Sequence, residues 1–193
     1  MSASGGHHEG LDASIVIPTK DRPRDVRRSV TCALAQQGVE VEVVVVDDGS
    51  RTPVSEALAD LVLGHPGRLR IVRNPQPTGV ANARNRGLAV VRAPWVGFCD
   101  DDDMWLPTKL RDQLDAAVLA SRDADGDAVG WTLSACVKVD EHLRVFQRQH
   151  VPDPATVADG ILAANLVPGG ASSVVTTMAP SRTTISRTAS GRS

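Results

Sequence analysis

Residues 41–46 read Val-Glu-Val-Val-Val-Val, with four valines in unbroken succession from Val43 to Val46. β-Branched side chains suit a pleated strand. A strand with one wet face alternates apolar and polar residues, so a continuous apolar run needs cover on both faces. That demand points to a sheet packed between helices. Residues 14–17, 69–72 and 95–99 supply further short strands, and 26–37, 53–63, 80–91 and 107–121 read as helices. Val26, Val30, Ala33 and Leu34 form the stripe of the first helix, which Gly38 ends. Pro53 sits in the first turn of the second. Leu110, Leu114, Ala117 and Val118 share one face of the fourth. Alternating strands and helices predict an α/β fold with a doubly wound parallel sheet. After Asp127 the pattern changes. Residues 129–139 and 143–146 read as two strands joined by Asp140-Glu141-His142, a hairpin, and 155–165 as a short helix.

The ends of these strands carry the chemistry. Asp100 to Asp103 follow the apolar run Trp95-Val96-Gly97-Phe98-Cys99, at the edge where open α/β sheets bind ligands. Carboxylates two apart at a strand end, Asp100 and Asp102, can point to the same side. Such a pair suits a hard divalent cation shared with substrate phosphates; the alternative is a solvated acidic loop. Three more loops fall at this edge: Pro18-Thr19-Lys20-Asp21-Arg22, Asp47-Asp48-Gly49-Ser50, and the glycine entry Thr78-Gly79 into a helix bearing Arg84 and Arg86. A carboxylate in the second can accept hydrogen bonds from a base or ribose, or simply form a β-turn. The third suits phosphate, or is a capped surface helix. There is no Gly-x-Gly-x-x-Gly after the first strand, no Gly-x-x-x-x-Gly-Lys-Ser/Thr and no Gly-x-Ser-x-Gly.

Composition narrows the class. A net charge of -2 argues against a nucleic-acid partner. No apolar stretch is long enough to cross a bilayer. Cys32, Cys99 and Cys136 have no metal or disulfide spacing, which favours a reducing, cytoplasmic location. His65, His142 and His150 have no metal spacing either. The expected domain spans residues 12–175, after a flexible leader (1–11) and before a Ser/Thr/Arg-rich tail (176–193) expected to be disordered.

Four segments together resemble family 2 glycosyltransferases of the GT-A, Rossmann-like fold. They are Ser14-Ile15-Val16-Ile17-Pro18-Thr19, Glu42-Val43-Val44-Val45-Val46-Asp47-Asp48-Gly49-Ser50, Gly79-Val80-Ala81-Asn82-Ala83-Arg84-Asn85-Arg86-Gly87, and the stretch from Phe98 through the aspartates to Met104-Trp105-Leu106-Pro107-Thr108-Lys109-Leu110. The resemblance implies a mostly parallel sheet between helices, with a donor-binding half to about residue 127 and a partial acceptor-side region at 128–175. It implies transfer of a sugar, with inversion, from a nucleoside-diphosphate sugar to an acceptor hydroxyl (a glycan, a lipid-linked or a small molecule), assisted by Mg²⁺ or Mn²⁺. Pro18, Thr19 and Asp48 would contact the nucleoside, Arg84 would lie near the diphosphate, and Asp100 and Asp101 would approach ribose and cation. Asp21 and Asp47 complete the candidate donor-binding set; Asp100 and Asp102 are the candidate metal ligands, Asp102 the main one. A place at the inner face of a membrane is compatible with such acceptors.

The sequence departs from the family at the base. No carboxylate follows Asp159 and no glutamate follows Glu141, leaving Asp153 and Asp159 as candidates; the acceptor half looks truncated. A catalytically inactive donor-binding remnant is the second reading. A nucleotidyltransferase is the third, and needs a glycine-rich phosphate loop that residues 18–24 do not offer.

Overall fold

The computed structural model of the chain describes residues 10–123, 129–152, 172 and 174–178. The chain runs β1 (Ala13–Thr19), α1 (Pro23–Leu34), β2 (Val41–Asp47), α2 (Val54–Ala57), α3 (Ala59–Gly64), β3 (Leu69–Arg73), α4 (Val80–Leu88), β4 (Trp95–Phe98), α5 (Lys109–Asp123), β5 (Trp131–Leu133), β6 (Cys136–Val139), β7 (Val145–Gln149) and β8 (Val174–Thr177). Six strands form one sheet in the order β3-β2-β1-β4-β8-β5, and β6 and β7 form a separate hairpin. β3, β2, β1 and β4 are mutually parallel; β8 runs antiparallel to both β4 and β5.

The valine run meets its demand. Every residue of β2 is buried. Val43 and Val45 join Ile15, Ile17, Val26, Val30, Leu58 and Leu110 in the core layer under α1. Val44 and Val46 join Val16, Ala83 and Val96 in the layer under α4. Each fully buried valine contributes about 1.5–3 kcal/mol by leaving water. The one charge in the run, Glu42, is fully buried and held at the start of the strand. The Ser14 hydroxyl donates to it at 2.6 Å, and Arg92 donates through both its backbone N–H and its Nε at 2.7 Å.

α4 reaches the sheet closely because it carries Gly87. A Cβ at this position would stand 2.4 Å from Cγ1 of Val16, a stiff side chain inside the core. Gly87→Val is therefore expected to destabilise the fold by about 1–3 kcal/mol, the usual cost of overpacking. Thermal unfolding checks this, and an unchanged midpoint would contradict the packing described.

Several boundaries differ from the sequence expectations. α1 begins at Pro23, three residues early, because proline suits the first helical turn. The expected helix at 53–63 is broken at Leu58, which is fully buried between α2 and α3. Val118 is half exposed rather than on the apolar face of α5; Leu110, Gln113 and Ala117 form its buried stripe. The expected strand at 129–139 breaks at Ser134-Ala135, so that β5 joins the main sheet while β6 pairs with β7. The hairpin is present, turning at Asp140 to Leu143, and its second strand lies at Val145–Gln149. β8 was not anticipated, and it runs to Thr177, past the expected boundary at 175. The expected helix at 155–165 and candidates Asp153 and Asp159 lie outside the described residues, as do 1–9 of the leader and 179–193 of the tail.

Candidate active site

Parallel strands β1, β2 and β4 deliver their carboxyl ends to one edge, and three loops there are laced together. Thr19, the last residue of β1, is buried and donates its hydroxyl to Asp101 Oδ2 at 2.7 Å. Asp21 adopts a left-handed φ of 57°. Its N–H donates to Ser50 Oγ at 2.9 Å and its carboxylate accepts the Arg51 N–H at 2.7 Å, joining the loops after β1 and β2. The Arg51 N–H holds the Asp21 carboxyl below its ordinary pKa.

Asp47, the last residue of β2, is engaged by its own loop and by Arg73, and Asp48, just after it, by the loop that follows β3. Asp47 accepts the N–H groups of Ser50 and Val54, at 2.9 and 3.3 Å, and pairs with Arg73. Asp48 accepts Asn74 Nδ2 at 2.7 Å, the Thr78 N–H at 2.9 Å and hydroxyl at 2.8 Å, and the Gly79 N–H at 2.8 Å. Burial raises its pKa, but the donors from Asn74, Thr78 and Gly79 together outweigh burial and hold it at about 2. Asp48 therefore clamps the 74–79 loop that leads into α4. Gly49 lets that loop approach: at φ 72°, any Cβ would fall 2.7 Å from the Pro77 nitrogen.

α4 carries Arg84, whose Nη2 donates to Asp100 Oδ1 at 2.5 Å. Its Nε is buried with no hydrogen-bond partner among the described residues. On the opposite side, one nitrogen of Arg22, Nη1, lies 3.0 Å from both Asp101 Oδ1 and Asp102 Oδ2. The backbone of the acidic segment is fixed by α1. The buried Ser29 hydroxyl stands 2.8 Å from the carbonyl of Asp101 and 2.7 Å from that of Asp103, and can donate to one at a time. Gln36, just after α1, donates to the Leu106 carbonyl at 2.8 Å and accepts the Leu110 N–H at 3.0 Å. Trp105 is buried across Gly97, with Lys109 Nζ 3.8 Å above its ring centroid. Burial lowers the Lys109 pKa to about 7, and burial raises that of Asp103.

Asp100 and Asp102 do not lie two apart on a strand, contrary to what the sequence pattern predicts. β4 ends at Phe98, and the Asp103 N–H bonds back to the Asp100 carbonyl at 3.1 Å, so the aspartates lie on a turn. Asp100 faces Arg84 while Asp101 and Asp102 share Arg22. A cation would fit the donor set of Asp101 and Asp102, hard oxygens already close enough to share one positive nitrogen. No three His, Cys, Asp or Glu side chains among the described residues converge on one point, so further ligands would come from substrate and water. Sequence reasoning brought Thr19, Asp48, Arg84 and Asp100–Asp102 to one edge, and the structure has them there. It missed Ser29, Gln36 and Lys109. A serine and a glutamine on or beside the buried stripe of α1 were the available signal.

A mostly parallel sheet between helices, with an acidic turn beside the β1 and β2 loops, is a GT-A-like architecture. Residues 14–139 match the family described as glycosyl transferase family 2, and the chain belongs to that family. It is similar to the succinoglycan biosynthesis protein ExoO of Rhizobium meliloti, 36% identical over 137 residues, covering 70% of this chain and 37% of that protein. With ExoU of the same organism it shares 38% identity over 99 residues, 51% of this chain and 28% of that one. The chain thus spans about a third of the length of these curated relatives. Among solved structures, the mannosyltransferase PcManGT from Pyrobaculum calidifontis, in complex with GDP-Man and Mn²⁺, aligns with a TM-score of 0.53 and 26% identity over 69% of this chain and 37% of its own. S. aureus TarS 1-349 in complex with UDP aligns with a TM-score of 0.53 and 23% identity over 71% and 38%.

Proposed function

We propose that this chain binds a nucleoside-diphosphate sugar with Mg²⁺ or Mn²⁺ and transfers the sugar, with inversion, to an acceptor hydroxyl. The observation that carries the reading is the convergence on Asp100–Asp102 of Thr19 and Arg22, from the end of β1 and its loop, and of Arg84, from α4. PcManGT, whose structure holds GDP-Man and Mn²⁺, supports the class of donor.

Asp101 and Asp102 would hold the cation, with Asp100 beside them. When bound, the cation supplies Lewis-acid stabilisation of the negative charge left on the departing diphosphate. Pro18 and Thr19 line the nucleoside side of the edge, and Arg84 is the arginine for the diphosphate, a pairing that suits its planar fork. Asp21, Asp47 and Asp48 act by shaping the walls, since their carboxylates are engaged with backbone and side-chain donors of neighbouring loops. An acceptor hydroxyl needs a base to take its proton; Asp153 and Asp159 are the candidates. The three free cysteines support a cytoplasmic setting, and a peripheral place at the inner face of a membrane belongs to the same proposal. No helix among the described residues is long and apolar enough to cross a membrane.

A second reading is donor binding without transfer. Release of nucleoside diphosphate from UDP-Glc, UDP-GlcNAc and GDP-Man, with and without Mn²⁺ and across hydroxyl acceptors, separates the two. Acceptor-dependent release lost in Asp102→Ala supports transfer. Binding of a donor without release under any acceptor supports the second reading.

A further inference from the structure

Arg22 occupies an unusual place. It ends the loop after β1, immediately before Pro23 opens α1. Its Nη1 lies 3.0 Å from an oxygen of Asp101 and 3.0 Å from an oxygen of Asp102. Among the described residues it is the cation in ion-pair range of those two side chains; Arg84 faces Asp100 instead, and Arg28 reaches only the Asp102 carbonyl, at 3.5 Å. One positively charged atom between oxygens of two successive aspartates stands where a divalent ion would have to sit to use both. The two cannot share the position, since a guanidinium and a divalent ion repel each other.

The arginine is built to leave. Its side chain is 52% exposed and Asp102's is 58% exposed. The Arg22–Asp102 pair, exposed on both sides, is weak because water screens it, while Asp101, 9% exposed, is the better-sheltered partner. The backbone beside Arg22 is fixed by Pro23 and the long stem is not, so a displaced guanidinium stays tethered at the same edge. The ligand expected there carries a diphosphate, and the guanidinium fork matches phosphate oxygens.

We propose that Arg22 is an exchangeable counter-ion: it neutralises Asp101 and Asp102 in the empty site, yields them to a divalent cation, and then pairs with the donor's diphosphate. This rests on the donor-and-cation reading above and gives it an order of events. It also assigns Arg22 a positioning role that exposure alone would not suggest.

The signature is a pair of effects with opposite signs, which a merely structural role would not produce. In Arg22→Ala, Mn²⁺ added alone binds about ten-fold more tightly, the size expected on removing a unit charge about 5 Å from a divalent ion in a screened setting. UDP added in the presence of saturating Mn²⁺ binds about ten-fold more weakly, from loss of one charge-assisted phosphate contact. Free Mn²⁺ is counted by its electron paramagnetic resonance signal, and UDP binding is measured by calorimetry on the full chain. Arg22→Lys keeps the charge, so Mn²⁺ binding stays close to that of the parent, and UDP binding falls between those of the parent and Arg22→Ala. Mn²⁺ affinity unchanged in Arg22→Ala, with the parent binding both Mn²⁺ and UDP, overturns the counter-ion role and leaves the donor reading intact. Weakening of both ligands also overturns it. Failure of the parent to bind either ligand overturns the donor reading itself, and this inference with it.

Discussion

Asp48→Ala is expected to lower the stability of the fold by about 3 kcal/mol, since it strips several partly buried donors of their acceptor at once. The donors are Asn74 Nδ2, the Thr78 N–H and hydroxyl, and the Gly79 N–H. A single neutral hydrogen bond contributes about 1 kcal/mol, and leaving a buried donor unmet costs about 1–3 kcal/mol, with water entering the loop to offset part of the sum. The loss is a large share of the 5–15 kcal/mol typical of a domain. Urea unfolding measures it, and a midpoint within error of the parent would contradict the clamp. The same carboxylate sets an acid limit. Its pKa is depressed from 3.8 unfolded to about 2 folded. A depressed folded value means that the stabilisation is fully present above about pH 4 and lost as pH falls through about 2, an effect on the order of 2 kcal/mol. In Asp48→Asn that part of the acid dependence disappears.

Asp102→Ala is expected to act on binding and to leave folding alone. Its side chain is more than half exposed, and among the described residues its charged side-chain partner is the exposed Arg22. Surface changes of this kind usually stay within about 0.5 kcal/mol. If Asp102 holds the cation, Mn²⁺-dependent affinity for nucleoside diphosphate falls at least about 100-fold, since even outer partners of metal ligands cost about 10–100-fold when removed. The two substitutions thus separate cleanly: Asp48→Ala moves the unfolding midpoint, and Asp102→Ala moves the cation-dependent binding. An Asp102→Ala protein that binds diphosphate as the parent does, with the same cation dependence, would remove this residue from the site.

What could be read in the sequence follows physical range. The valine run announced its own environment, because burial on both faces is written in consecutive residues. The carboxyl ends of β1, β2 and β4 followed from parallel order, and with them the gathering of Thr19, Asp48 and the aspartates. The place of β8 was hidden: Val174 to Thr177 carry β-branched residues, but nothing local selects an antiparallel slot between β4 and β5. The break at Leu58 escaped for a similar reason, since tertiary burial overrides helical spacing there. Within the site, residue types were legible and their partners were not. Asp48, expected to face a ligand, also holds residues 26 to 31 positions away. Arg22 meets Asp101 and Asp102 across about 80 residues, a pairing no local pattern encodes.

Calorimetric titration of the chain with UDP, GDP and dTDP, each with Mn²⁺ and again after chelation, addresses the proposed donor site most directly. Saturable 1:1 binding of at least one diphosphate, abolished by chelation and by Asp102→Ala, is the predicted result. Silence from all three, or binding indifferent to both the cation and Asp102, would contradict it.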